Sequence, residues 1–89
     1  MKAIVTVVGK DTVGIIAAVC AQLASYNVNV LDISQTVMQG YFTMMMVVDV
    51  SRCTVPLAQL STMMEEMGKE KGLSIRLQRE DIFEAMHRI

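Results

Sequence analysis

The sequence predicts an α+β fold, a ferredoxin-like βαββαβ sandwich in which a four-stranded antiparallel sheet carries two helices on one face. Four segments are strand-like, and the two segments between them show the apolar spacing of helices. Only two residues separate the middle two strands, which makes these strands a hairpin. The 89 residues form a single domain, with a core over 1–80 and a helical tail over 81–89.

The first strand is predicted over residues 3–8, which read AIVTVV and are apolar and β-branched almost throughout. Gly9 is expected to end it. Asp11 or Thr12 then caps a helix, and Asn27 is expected to terminate that helix in the left-handed conformation. The apolar stripe of the helix recurs at i, i+3, i+4 and i+7: Ile16, Val19, Cys20 and Leu23.

The second strand is predicted over residues 28–38, where apolar and polar residues alternate. A bulge or twist is expected near residue 30, because two valines there fall out of phase with the alternation. Gln39 and Gly40 form the hairpin turn, and residues 41–50 form the third strand. The alternating apolar residues of the second strand are Leu31, Ile33 and Val37.

The second helix is expected to open at Thr54 and Pro56 and to close at Gly72. Residues 73–79 alternate cleanly and form the fourth strand, and the tail over 81–89 has helical spacing. The apolar stripe of this helix is Leu57, Leu60, Met64 and Met67, and the inward residues of the strand are Leu73, Ile75 and Leu77.

The composition predicts a protein that associates with itself. Slightly over half of the residues (53%) are hydrophobic, which is a surplus for so small a chain, and a homodimer would bury it. A sheet with helices on one face leaves its other face open. The apolar side chains on that open face would be either Ile4 and Val8 or Ala3, Val5 and Val7, and residues 82–89 would add more.

The charge and the apolar runs exclude several partners. The net charge is −1 with acids and bases interspersed, so neither nucleic acid nor an anionic membrane is an expected partner. The apolar runs are too short for a membrane span, and no export signal is recognisable. The expected location is therefore the cytoplasm, with Cys20 and Cys53 as reduced, buried thiols.

The loop after the first strand does not carry the chemistry of a phosphate site. Gly9 and Gly14 have the GxxxxG spacing, but Ile15 and Ile16 stand where a P-loop needs Lys and Ser or Thr. A metal chaperone of this fold would need CxxC on the loop, and an acylphosphatase an Arg, whereas the first Arg is Arg52. No nucleophile with a nearby base is readable, so no catalytic residue, metal ligand or cofactor is predicted.

The stretch GKDTVGIIAAVCAQLASYNVNVLDISQTV resembles the ACT domain, a regulatory module that senses small molecules. The resemblance covers nearly the whole chain and is closest to short stand-alone ACT proteins, which carry no catalytic domain. The family often has Pro where this chain has Val13. The resemblance is carried by Gly9, Asp11, Gly14, Ile15, the helix through Leu23, and the run Asn27-Val28-Asn29-Val30.

In this family, ligands that are often amino acids commonly bind where this loop of one subunit meets a second subunit. Helix N–H groups suit a carboxylate, the absence of a side chain at Gly14 lets a ligand approach, and Asp11 could receive an ammonium. The resemblance therefore implies a non-catalytic module that binds a small-molecule effector and regulates a metabolic enzyme. The implied contacts are the backbone of Asp11, Thr12, Val13, Gly14 and Ile15 and the side chains of Asn27 and Asn29.

Other interpretations remain open from the sequence. The polar residues of the loop could serve only as a helix cap, Gly14 only as a close helix–sheet contact, and Asn27 only as a helix terminator. At the level of the protein, the alternatives are an interaction adaptor without a ligand and a small enzyme of acylphosphatase-like fold.

Overall fold

The computed structural model describes residues 1–10 and 14–81. It contains one four-stranded antiparallel sheet with the strand order β2-β3-β1-β4, and two helices. The predicted βαββαβ order is confirmed. The elements are β1 (Lys2–Lys10), α1 (Ile15–Ser25), β2 (Asn29–Met38), β3 (Tyr41–Asp49), α2 (Leu57–Lys71) and β4 (Ser74–Arg79).

The core lies between the helices and one face of the sheet. Alternate side chains of β1 and β3 point into it, which decides between the two registers left open by the sequence: Ile4 and Val8 face away from the helices. The two helices contribute the apolar stripes that the sequence predicted. Fully buried residues include Ala3, Val5, Val7, Val19, Leu23, Met44, Met46, Val48, Leu60 and Met64.

Gly9 does not end β1, and that prediction is wrong. The strand continues to Lys10, with Gly9 paired to Phe42 and Lys10 to Tyr41. Leu73 passes close to Gly9, since its Cδ2 methyl group occupies the space that a Cβ at position 9 would need. Gly9 therefore allows Leu73 to pass close to the backbone within β1. The sequence around Gly9 cannot distinguish this role from the end of a strand.

The predicted cap of α1 is also wrong. The helix begins at Ile15 and its N-cap residue is Gly14, whose φ of 85° is left-handed and which offers no side-chain cap. The first helical hydrogen bond runs from Ala18 N to Gly14 O over 2.9 Å. Asp11, Thr12 and Val13 lie outside the described residues. Asp11 and Thr12 were predicted to cap the helix because their side chains are polar, whereas the left-handed Gly14 makes the turn into the helix.

The other predicted boundaries hold. Asn27 has a φ of 62°, as expected of a left-handed helix terminator, and Gln39 and Gly40 both have positive φ, as a two-residue hairpin turn requires. The predicted bulge appears as a register shift between Val30 and Asp32. The helix α2 follows Pro56 and ends at Gly72. Of the predicted tail helix over 81–89, only Asp81 belongs to the described part of the chain.

The two cysteines are free, but they are only half-buried, so the prediction of buried thiols is wrong. Cys20 on α1 and Cys53 in the loop after β3 pack at the margin of the core. Neither described helix is long and apolar enough to cross a membrane.

Among the described residues, exposed apolar side chains lie on both faces of the sheet. On the outer face of the sheet, away from the helices, Val8 is 42% and Met45 41% exposed. On the other face they lie on the helix side of β2, formed by Ile33, Gln35 and Val37 and called the β2 ledge from here on. The paired residues of β3 on this side are buried, so α1 and α2 cover β3, whereas the β2 ledge remains exposed.

Candidate functional site

The loop end of the predicted site is built around Gly14. Among the described residues, no atom lies within 4 Å of a Cβ built at this position, so the space beside it is open. The reading of Gly14 as a close helix–sheet contact therefore finds no support in the described chain. Ile15 directs its side chain into the core, where it is 5% exposed, and leaves only its backbone N–H to face the loop.

The start of α1 can hold an anion. Within the described residues, no side chain caps its first N–H groups, and residues 15–17 precede the first helical hydrogen bond donor, Ala18. The helix dipole adds partial positive charge at the same point. A carboxylate at the open side of Gly14 would therefore meet unpaired backbone donors.

The other predicted residues, Asn27 and Asn29, line a hollow of about 450 Å³ together with Asp49, Ser51 and Arg52. We call it the polar hollow, because all five lining residues are polar. The Asn27 side chain is partly engaged, since its Nδ2 donates to the Arg52 carbonyl oxygen over 3.1 Å. The Asn29 side chain makes no hydrogen bond within residues 1–10 and 14–81.

Asp49 is the anionic group of the polar hollow. Its Oδ1 accepts a hydrogen bond from Ser51 N over 2.9 Å and lies 3.7 Å from the amino group of Met1. Hydrogen bonds from the Ser51 hydroxyl and backbone N–H hold the pKa of the Asp49 carboxyl below its usual value. The carboxylate is thus charged at neutral pH and already has donors of its own.

The structure brings the predicted site residues together as two separate groups. Gly14 follows the Lys10 end of β1, whereas Asn29 pairs with Asp49 and Asp49 with Lys2, at the other end of the sheet. The nine residues of β1 separate these ends by about 26 Å, at roughly 3.3 Å per residue. No molecule of amino-acid size can contact both groups of one chain.

Sequence reasoning missed Asp49, Ser51 and Arg52 as neighbours of the two asparagines. They lie at the end of β3 and in the turn that follows it, a stretch that has no motif of its own. Only the pairing of Asn29 with Asp49 brings the two stretches together. A second hollow, of about 500 Å³ beside α2 and β4, contains none of the predicted residues. Within the described ranges, no cluster of three or more His, Cys, Asp or Glu could hold a metal ion.

Comparison with known proteins gives one consistent result. A sequence model of the ACT domain matches residues 2–78. A UPF0237 protein of Bifidobacterium longum is 56% identical over 88 residues, covering 99% of this chain and 98% of its own. A UPF0237 protein of Clostridium acetobutylicum is 53% identical over 89 residues and the full length of both.

Solved structures agree with the sequence comparisons. An ACT domain protein from Streptococcus pneumoniae superposes with a TM-score of 0.82 at 45% identity, over 94% of both chains. A formyltetrahydrofolate deformylase from Pseudomonas syringae gives a TM-score of 0.79 at 22% identity, over 88% of this chain and 27% of that protein. The latter similarity concerns the fold alone.

Proposed function

We propose, from the premise that this chain belongs to the ACT domain family, that it is a non-catalytic regulatory module that binds a free amino acid between two copies of itself. ACT domains commonly act as regulatory ligand-binding modules, and the relatives that span the whole chain carry names that indicate no catalytic activity. The protein that this module regulates would be a metabolic enzyme. The proposed location is the cytoplasm, where its two free thiols would stay reduced.

One observation carries the proposal of a site shared by two chains: the predicted ligand contacts lie at opposite ends of the same sheet. A two-fold axis perpendicular to the sheet, beside the middle of β2, would pair this strand with its own copy in antiparallel fashion. In such a pairing, β2 of the partner subunit runs in the direction opposite to β2 of the first subunit. Asn29 of the partner subunit then comes to the end of the sheet that carries Gly14, which supports one composite site at each end of the dimer.

The edge of β2 supports this arrangement. As the first strand in the order β2-β3-β1-β4, it leaves one row of backbone groups without a strand partner. The β2 ledge beside it is apolar, with Ile33 40% and Val37 56% exposed. A second copy would satisfy the backbone groups and cover the ledge together, which removes water from apolar surface.

The proposed ligand follows from the groups that would surround it. The open N–H groups at the start of α1 suit a carboxylate, and Gly14 lets that carboxylate reach the backbone. The free side-chain amide of Asn29 can both donate and accept. The contacts predicted for Asp11, Thr12 and Val13, including an ammonium at Asp11, remain predictions because these residues lie outside the described part. Asn27 serves at least as a helix terminator and a brace for Arg52.

A thermal-shift screen over the amino acids tests the proposal directly. Binding to the folded state alone adds RT ln(1 + [L]/Kd), which is about 2.7 kcal/mol at a hundredfold excess over Kd. We expect one amino acid or a small related group to raise the melting temperature by several degrees, and calorimetry to give two molecules per dimer. If no amino acid stabilises the protein at millimolar concentration while a pull-down recovers an enzyme, the adaptor without a ligand is the correct interpretation.

A further inference from the structure

We propose that the polar hollow is a carboxylate-binding site anchored by the guanidinium of Arg52. This inference goes beyond the proposed function, because the polar hollow is formed within one chain and needs neither Gly14 nor a dimer, although the two sites share Asn29. It also assigns a role to Arg52, which the proposed amino-acid site does not use.

The loop that carries Arg52 is held in place before any ligand arrives. Three of its backbone N–H groups are bonded: Ser51 N to Asp49 Oδ1, Cys53 N to Val50 O and Thr54 N to Tyr26 O, over 2.9, 3.1 and 3.0 Å. The Asn27 side chain holds the carbonyl oxygen of Arg52 itself over 3.1 Å. A loop fixed in this way loses little conformational entropy when its side chain binds a ligand.

The guanidinium of Arg52 supplies the positive charge of the polar hollow. It has no hydrogen-bond or ion-pair partner in the described ranges, although Asp49 lines the same hollow. Asp49 is instead engaged by Ser51, which leaves the guanidinium as the unmatched charge of the polar hollow. The Arg52 guanidinium is therefore able to bind an external anion, because the Asp49 carboxylate in the same hollow is already hydrogen-bonded to Ser51.

The chemistry of the lining selects a carboxylate. A guanidinium donates two parallel hydrogen bonds to a carboxylate, and the unbonded amide of Asn29 offers a further donor. The lining contains no apolar residue, so a hydrophobic ligand would gain little by entering. The negative charge of Asp49 disfavours a highly charged anion such as a polyphosphate. A small polar carboxylic acid fits all three conditions.

Succinate is the probe for this site, with succinamide and inorganic phosphate as comparison ligands. NMR titration would follow the side-chain signals of Arg52 Nε and Asn29 Nδ2. We expect saturable shifts with succinate, weaker binding of phosphate and no binding of succinamide. Arg52→Gln should weaken succinate binding at least about tenfold, as the loss of a charged hydrogen bond predicts. Arg76→Gln, which removes an exposed arginine from the outer face, should leave succinate binding unchanged.

Three results would contradict the proposal. They are chemical shifts that grow linearly with succinate without saturation, equal effects of the two arginine variants on succinate affinity, and phosphate binding as tight as that of succinate. Failure here is distinguishable from failure of the proposed function, because Gly14→Val should abolish amino-acid binding at the composite site and leave succinate binding to the polar hollow intact. A Gly14→Val protein that loses both ligands would contradict the independence of the polar hollow.

Discussion

Replacing Gly14 by valine is expected to abolish amino-acid binding and to lower the free energy of unfolding by about 1–2 kcal/mol. Gly14 has a φ of 85°, a left-handed conformation that a β-branched residue adopts only with strain. The valine side chain would also stand in the open space through which the ligand must reach the helix N–H groups. Calorimetry would measure the affinity, and urea denaturation the stability.

Two control variants separate binding from strain at this position. Gly14→Asn should preserve most of the stability, because asparagine tolerates the left-handed conformation, yet should still weaken binding through its side chain. Gly72→Val changes another left-handed glycine with open space around it, so it should cost similar stability and leave binding unaffected. Equal ligand affinities for the two valine variants would move the site away from Gly14.

Replacing Ile33 by lysine is expected to raise the dissociation constant of the dimer at least about a hundredfold. The substitution puts an ammonium on the β2 ledge, where the proposed interface would bury it without a partner, and burying an unpaired charge costs several kcal/mol. Amino-acid binding should disappear at the protein concentrations where the dimer dissociates. Sedimentation equilibrium would measure the dimer, and calorimetry the ligand.

Val8→Lys is the matched control for this substitution. Val8 is 42% exposed and Ile33 40%, but Val8 lies on the outer face of the sheet. The two variants should therefore affect the folded monomer to a similar degree, and only the Ile33 variant should dissociate. If only the Val8 variant dissociates, the dimer interface lies on the outer face, the open face that the sequence alone suggested. The β2 pairing that brings Asn29 of one chain to the Gly14 end of the other would then be absent.

The fold was readable from the sequence wherever a signal is local. Apolar spacing predicted each strand and helix, and the left-handed positions at Asn27 and Gly72 matched their residue types. The misreadings occurred where a distant residue decides the outcome. Gly9 is small because Leu73, far along the chain, passes beside it.

The site was only partly readable for the same reason. The motif predicted Gly14 and the two asparagines, but the strand pairing shows that these residues occupy opposite ends of the sheet. The role proposed for Arg52 could not be predicted from the sequence, because its position beside Asn29 depends on the pairing of β2 with β3. The alternation of Ile33 and Val37 looks the same whether a helix or a second chain covers them, so the sequence could not reveal that the β2 ledge remains exposed.

A mixed dimer tests the central claim, a ligand site shared by two chains, most directly. One chain would carry Gly14→Val and the other Asn29→Ala, and two different affinity tags would allow the mixed dimer to be purified. In this dimer one composite site carries both substitutions and the other carries neither. The account predicts that each parent homodimer binds the amino acid weakly or not at all, whereas the mixed dimer binds one molecule with wild-type affinity. A mixed dimer that binds no better than its parents would contradict the shared site.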